Sequence, residues 1–391
     1  MNWINTFNWT SHPFLLISIG LLTVFVLVQL IYILFVFTKL ATYRSAKNET
    51  KTSPSVSVIV CAHNELENLR ELLPLLDAQN YLDFEVIIVN DRSTDDTEAW
   101  LNAEGQQWKN LRFIHINQQY DHVTPKKYAL TTAIWQAKNG VILLTDADCR
   151  PVSKQWIGLM AGELTDEKKI VLGFSPYYKQ SGFLNRFIRF ETFYVAVQYL
   201  SLALARKPYM GVGRNLLYDK ALFVENKGFY SHLNVLGGDD DLLMNEMATS
   251  TNSTVCLNPD SFMYSQPKTT WAEWFIQKKR HLSVSKHYRF DHKMRLGLLS
   301  GSQVLVWLFF VPAVVCAIFL FPQEPIYLLL ITSIFGLRLL LQWLVLGLNS
   351  RKLGNSVGWF AIPFFDFVLF LYYIGMAVVM WVNRRKKTQW K

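Results

Sequence analysis

Apolar and polar positions recur along this chain on three length scales, and each scale predicts a different kind of element. The longest apolar runs carry almost no charge: Pro13 to Phe37, Leu296 to Gln323, Ile326 to about Gly347, and Val357 to Val382. Each is long enough for the roughly 20 residues that a helix needs to cross a bilayer, and the first is too long for a signal-peptide core. One N-terminal anchor and three C-terminal spans are expected. On the shortest scale, Val56 to Cys61, Phe84 to Val89, Leu111 to Ile116 and Val141 to Thr145 are β-branched or fully apolar runs that read as strands. Helical patterns separate them. From Glu65 to Ala78 leucines fall at 66, 69, 72, 73 and 76; Ser93 reads as a helix N-cap with Asp95 and Asp96 in the first turn; and Thr124-Pro125 opens a further helix. Strand and helix in alternation imply parallel strands with right-handed crossovers, hence a doubly wound α/β layer with its ligand cleft along the strand carboxyl ends. Between the two scales lie aromatic, partly basic helical stretches at about 181–205 and 271–295, which read as interfacial helices.

Composition changes the picture in one respect, because 51% hydrophobic and 15% aromatic residues in a chain of 391 exceed what a soluble enzyme needs. The domains expected are an anchor at 1–38, a central α/β domain at 54–295, a membrane region at 296–383 and a basic tail at 384–391. No charge precedes the first span, whereas Lys39, Arg44, Lys47 and Lys51 follow it, which puts the central domain in the cytoplasm beneath the plasma membrane. Arg351 and Lys352 fit that topology. Arg384-Arg-Lys-Lys387 does not, since a fourth crossing leaves it outside; a last segment that re-enters, bent at Pro363, is the alternative. Much of the net charge of +9 sits between Trp271 and Arg295, next to an apolar span, which suits an anionic leaflet better than nucleic acid. Cys61, Cys149, Cys256 and Cys316 are neither grouped for zinc nor placed where disulfides persist. Two charges stand inside apolar runs. Arg338 and Asp366 each lie nine residues from a span end, about 13 Å deep at the helical rise, and are expected to pair.

The chemistry is expected where the Val141 strand ends. Asp146 and Asp148 would project to one side of an extended chain, a pair of oxygen donors suited to a hard divalent cation that also holds phosphates. Gly237-Gly-Asp-Asp-Asp-Leu242 places three carboxylates in succession, whose repulsion raises at least one pKa as a general base requires. Gly211-Val-Gly-Arg-Asn215 lacks the third glycine and the preceding strand of a dinucleotide loop.

Ala62-His-Asn-Glu65, Asn90-Asp91-x-Ser93, Lys126 ahead of Ala129-Leu130, and Asp146-x-Asp148 together resemble, in order, the nucleotide-sugar half of inverting family 2 glycosyltransferases with the GT-A fold. The resemblance implies that Ala62, Asn64, Glu65 and Asp91 line the nucleoside pocket, that Lys126 and Gln277 approach the donor, and that Asp146 and Asp148 hold Mg2+ or Mn2+ on its diphosphate. The triple aspartate is similar to the acidic motif of hyaluronan and cellulose synthases and ceramide glucosyltransferases, which implies Asp240 as the base and Asp239 as its support. Gln277-Lys-Lys-Arg-His281 looks like their Gln-x-x-Arg-Trp motif, with Arg280 on the diphosphate and His281 in place of the tryptophan. The implied activity is transfer from a UDP-sugar to a hydroxyl of a lipid acceptor, giving a glycolipid of the cell envelope. A processive polysaccharide synthase, a polyprenyl-phosphate transferase and an inactive membrane scaffold are the alternatives.

Overall fold

In the computed structural model, residues 12–44 and 53–382 are described, so the basic tail lies outside the described residues. They form two units: four long helices make one, and the strands with their intervening helices, together with Arg351–Ser356, make the other.

The helices of the first unit are α1 (Pro13 to Thr42, with a π-helical turn at Tyr32–Phe37), and three later ones at Phe290–Leu320, Pro325–Lys352 and Ala361–Val382. All four are long and apolar enough to cross a membrane. The last begins at Ala361, so Pro363 lies in its first turn, where a missing N–H costs no hydrogen bond. Leu15, Ile19, Leu22 and Val26 of α1 form a core with Val306, Ala313, Ala317, Ile331 and Phe335.

In the second unit β1 (Val56–Ala62), α2 (Leu66–Asp77), β2 (Phe84–Asp91), α3 (Thr97–Glu104), β3 (Leu111–Ile116), α4 (Pro125–Gln136) and β4 (Val141–Asp146) follow the expected alternation. Then come β5 (Cys149–Pro151), α5 (Trp156–Ala161), β6 (Ile170–Leu172), α6 (Phe183–Leu204), β7 (Leu216–Asp219), α7 (Lys220–Glu225), α8 (Asp241–Met247), β8 (Ser253–Val255), β9 (Met263–Ser265) and α9 (Trp271–Val284). The membrane helices after them are α10, α11 and α12 in chain order. Seven strands form one sheet in the order β3-β2-β1-β4-β7-β6-β8, and β5 pairs with β9 in a second. β1 to β4 are mutually parallel where they pair; β7 enters antiparallel to β4 and β6. The register sets Ala62 beside Asn90 and Cys61 beside Asp146, so the carboxyl ends of β2, β1 and β4 open on one edge. Leu69, Leu72, Leu73 and Leu76 seal the sheet, as their spacing predicts.

Three expectations need correction. Ser93 does not cap α3: Asp96 takes the N-cap position, and the Ser93 hydroxyl instead accepts the Asn64 N–H at 2.9 Å. The helix at 183–204 does not present an apolar face for a lipid surface, since 15 of its 22 residues are buried, among them Phe187, Phe190, Phe193 and Tyr194. A helix apolar on all sides belongs in a core. Glu191 on it pairs with Lys278 of α9, and Arg189 donates to the Ser356 carbonyl at 2.8 Å. Finally, 290–295 is the first part of the α10 helix rather than the end of an interfacial one. Trp271, Phe275 and Ile276 of α9 do remain exposed, while Trp274 is buried.

Candidate active site

At the end of β4 the chain turns sharply at Ala147–Asp148 before β5, so Asp146 and Asp148 do not alternate along an extended strand as expected. Arg150, itself buried, enforces the turn by donating to the carbonyls of Ala147 at 2.9 Å and Cys149 at 2.8 Å, with its other nitrogens on Glu71 and Asn68. The two carboxylates stay close enough to interact. Burial, and after it the charge of Asp146, raises the pKa of Asp148.

Lys126 stands at the centre of the site. Projecting from the first turn of α4, its Nζ lies 2.9 Å from Asp146 Oδ1 and 3.0 Å from Asp239 Oδ2. Burial alone would lower its pKa, but the carboxylates of Asp146, Asp239 and Asp240 outweigh it and hold the ammonium charged. Residues 93 positions apart in the chain therefore share one cation.

The three consecutive aspartates part company. Asp239 points to Lys126, whose charge overrides burial and lowers its pKa. Asp240 is the N-cap of α8: its Oδ1 accepts the Asp241 N–H and its Oδ2 accepts the Gly213 N–H, each at 2.7 Å. Asp241 is buried and accepts the Tyr288 hydroxyl at 2.7 Å, and burial with the neighbouring Asp240 pushes its pKa up to about 7. Repulsion does raise carboxylate pKa values here, as the sequence suggests, yet it does so at the two members turned away from Lys126. Gly237 and Gly238 make this divergence possible, with φ of +85° and +79°, a region that side chains disfavour.

Where the resemblance expects a nucleoside, Ala62 is buried at the end of β1 and a cleft of about 540 Å³ is lined by Asn64, Glu65, Asn68, Thr94 and Asp95 among others. Asn64, at φ +57°, turns its side-chain oxygen to the N–H groups of Thr94 at 2.7 Å and Asp95 at 3.3 Å, so it builds the wall rather than reaching into the space. The Asp91 carboxylate is held on both oxygens by Arg92, at 2.7 and 3.1 Å. Glu65 accepts from Asn68 at 2.5 Å and has its pKa raised, mainly by burial. Gln277 donates to the Tyr177 hydroxyl at 3.3 Å, and Arg280 passes the acidic loop, its Cγ 3.9 Å from where a Cβ on Gly237 would stand.

One cation escaped the sequence reading. Arg214 stacks over the Tyr177 ring at 4.5 Å, and Asp148 and Asp146 are among the charges that act on it. Its Nη1 is buried without a hydrogen-bond partner among the described residues. Gly211-Val-Gly-Arg-Asn215 carried the signal, but as a glycine-poor phosphate loop it matched nothing.

Among the described residues no cluster of three or more His, Cys, Asp or Glu side chains stands ready to hold a metal ion. Asp146 and Asp148 nevertheless fit one. The charge of Asp146 adds to the cost of ionising Asp148, which a divalent cation would relieve, and Mg2+ habitually takes only one or two protein carboxylates and completes its shell with water and substrate phosphate.

Residues 57–225 match the family model described as Glycosyl transferase family 2. Among curated proteins it is 26% identical over 247 residues to the probable glycosyltransferase YdaM of Bacillus subtilis, covering 60% of this chain and 56% of that protein. It is 30% identical over 110 residues to the glycosyltransferase AglE of Haloferax volcanii, covering 28% and 34% respectively. The chain thus spans about half or less of the curated relatives it matches. The solved structure of the mannosyltransferase PcManGT from Pyrobaculum calidifontis, in complex with GDP-Man and Mn2+, aligns with a TM-score of 0.57 at 17% identity, over 87% of this chain and 98% of that one. The fold is GT-A, a seven-stranded Rossmann-like sheet.

Proposed function

We propose that this protein is a metal-dependent inverting glycosyltransferase of the membrane, which takes a nucleotide-activated sugar, a UDP-sugar by the reading of its motifs, and places it on a hydroxyl of a lipid acceptor. The observation that carries this reading is the Lys126 bridge: a family 2 domain brings one cation between Asp146 at a strand end and Asp239 of the acidic loop. The four apolar helices support the lipid acceptor, and the charges flanking the first span support a cytoplasmic catalytic domain at the plasma membrane.

The chemistry follows from the side chains. A donor diphosphate entering beside Asp146 draws Lys126 toward its oxygens, which frees Asp239. We assign the general base to Asp239 rather than Asp240, because Asp240 already serves two backbone N–H groups. Asp239 accepts the acceptor hydroxyl proton as that oxygen bonds to the anomeric carbon; the bond from this carbon to the diphosphate breaks on the opposite face, inverting the configuration. Lys126, Arg214 and Arg280 are the chain's own cations for the departing charge. Mg2+ or Mn2+, held by Asp146 and Asp148, would supply Lewis-acid neutralisation of the same diphosphate.

The test is purified full-length protein offered a panel of UDP- and GDP-sugars with total membrane lipid, scoring nucleoside diphosphate release with and without chelator. Metal-dependent release coupled to a single-sugar glycolipid is the expected result. Products that lengthen with time would assign a processive polysaccharide synthase instead, labelling confined to polyprenyl phosphate would assign that acceptor, and no transfer from any donor would leave an inactive scaffold.

A further inference from the structure

Lys127, next to the bridging Lys126, faces the other way. It is 1% exposed, and it donates from Nζ to two main-chain carbonyls, His232 at 2.6 Å and Val235 at 2.7 Å. Between them the Leu233 carbonyl accepts the Thr124 N–H at 3.1 Å, so the segment 232–235 is fastened to the first turn of α4 at three points. The arrangement is costly, since burial lowers the Lys127 pKa to about 8. A neutral donor would close the same hydrogen bonds at less cost in desolvation.

What the segment leads to explains the tether. Four residues beyond Val235 is Asp239, and only Leu236 and the two left-handed glycines lie between the fastening and that carboxylate. Gly237 runs against α9, where a Cβ would come within 3.2 Å of Val284, and Gly238 leaves no room for one beside Leu242, at 2.6 Å. On the far side Asp240 is anchored to Gly213. The position of Asp239 is therefore set by two anchors, and one of them is the helix turn that also carries Lys126.

We propose that Lys127 is a positioning residue: it ties the acidic loop to the first turn of α4, so that the donor-side cation Lys126 and the acceptor-side carboxylate Asp239 are held as one body. This rests on the reading of Asp239 as the base. Lys126 is the group that must let go of Asp239 when a donor binds, and without a second fastening the loop would drift once that bridge opened. Lys127 keeps Asp239 in place through that step, having no contact with the substrate itself.

Full-length Lys127→Met and Lys127→Arg proteins in nanodiscs provide the test, measured for kcat, donor KM, direct binding of UDP and amide hydrogen exchange at 236–240. A displacement of about 1 Å is enough to lower turnover about 10²-fold, so Lys127→Met should lose on that order in kcat while UDP binding stays within about threefold of wild type. Exchange at 236–240 should accelerate. Lys127→Arg, whose longer planar fork cannot seat both carbonyls as the ammonium does, should lose about tenfold, and it carries the comparison if the methionine variant does not fold. Wild-type kcat and exchange in a folded variant would overturn the tether, as would a fall in UDP affinity equal to the fall in kcat, which would make Lys127 a donor ligand. A wild-type protein that transfers no sugar overturns the functional reading instead, and hydrogen exchange still decides whether the loop is tethered.

Discussion

Three adjacent aspartates with the same intrinsic chemistry do three different jobs here, and substitution should separate them. Asp239→Asn removes the carboxylate that faces Lys126 and should cost about 10² to 10⁴ in kcat with the fold intact. Asp240→Asn leaves a cap one acceptor short, so thermal unfolding should register a loss of about 1 kcal/mol before kinetics register a comparable effect. The reverse ranking in kcat would return the base to Asp240. Asp241 makes a prediction in pH. Its carboxyl, ordinarily near 3.8, is pushed up to about 7, so between those values the folded state holds a proton that the unfolded state releases. Stability linked to this group is present below pH 3.8 and is lost as pH rises through 7; denaturant titrations of Asp241→Asn should lack that decline, and parallel curves for both proteins would contradict the assignment. At the metal-type pair, Asp148→Ala should abolish both transfer and its response to chelator without unfolding the protein, because among the described residues its carboxylate makes two long hydrogen bonds, from Cys149 and Ser265 at 3.4 Å each.

Among the elements, the membrane helices depend most on polar contacts. Arg338 of α11 and Asp366 of α12 are both fully buried and meet at 2.5 Å, as their matching depths in the sequence predict. What spacing does not reveal is the company they keep. Asp366 also accepts from Gln303 at 2.6 Å, Trp307 at 2.9 Å and Gln342 at 2.8 Å, while Arg338 reaches Gln29 of α1 at 3.4 Å and Gln303 of α10. The pair is the middle of a network that joins all four helices. Breaking it from one side strands a charge in an apolar interior, so Asp366→Ala should reduce the yield and thermal stability of folded protein far more than Asp366→Ala combined with Arg338→Leu. Equal damage would show that the residues are uncoupled. In the other unit, α6 makes the opposite point: Arg186 and Arg189 give it an amphipathic look, but a helix with buried residues on every side is recognised only once the strands and helices around it are in place.

At the scale of the whole molecule, the placing of the chain in the bilayer is testable. Residues 351–356 belong to the same unit as the seven-stranded sheet. With α12 as a fourth crossing, a phosphatase reporter fused beyond Val382 should be active, and one inserted at 353–356 inactive, in cells that display such activity only outside. An active reporter in the 353–356 turn would invert the topology and remove the catalytic domain from cytoplasmic nucleotide sugars.

The spans, the four parallel strands, the two leucine-faced and proline-opened helices and the depth match of Arg338 with Asp366 were determined by the sequence alone. Each depends on something that runs along a single segment, either the period of its apolar residues or the cost of a charge in a bilayer. Asp146 and Asp148 were placed for a related reason, since they stand at a strand end that the periodicity locates, whereas Lys126 entered only through the resemblance to family 2 glycosyltransferases. Only the tertiary structure decided which of Asp239, Asp240 and Asp241 faces Lys126, because three like residues in a row differ solely in the dihedral angles that Gly237 and Gly238 impose. The roles of Lys127, Arg150 and Arg214 were hidden in the same way. Their partners are a distant loop for Lys127, the adjacent turn with Glu71 and Asn68 for Arg150, and an aromatic ring for Arg214, contacts that no apolar period announces.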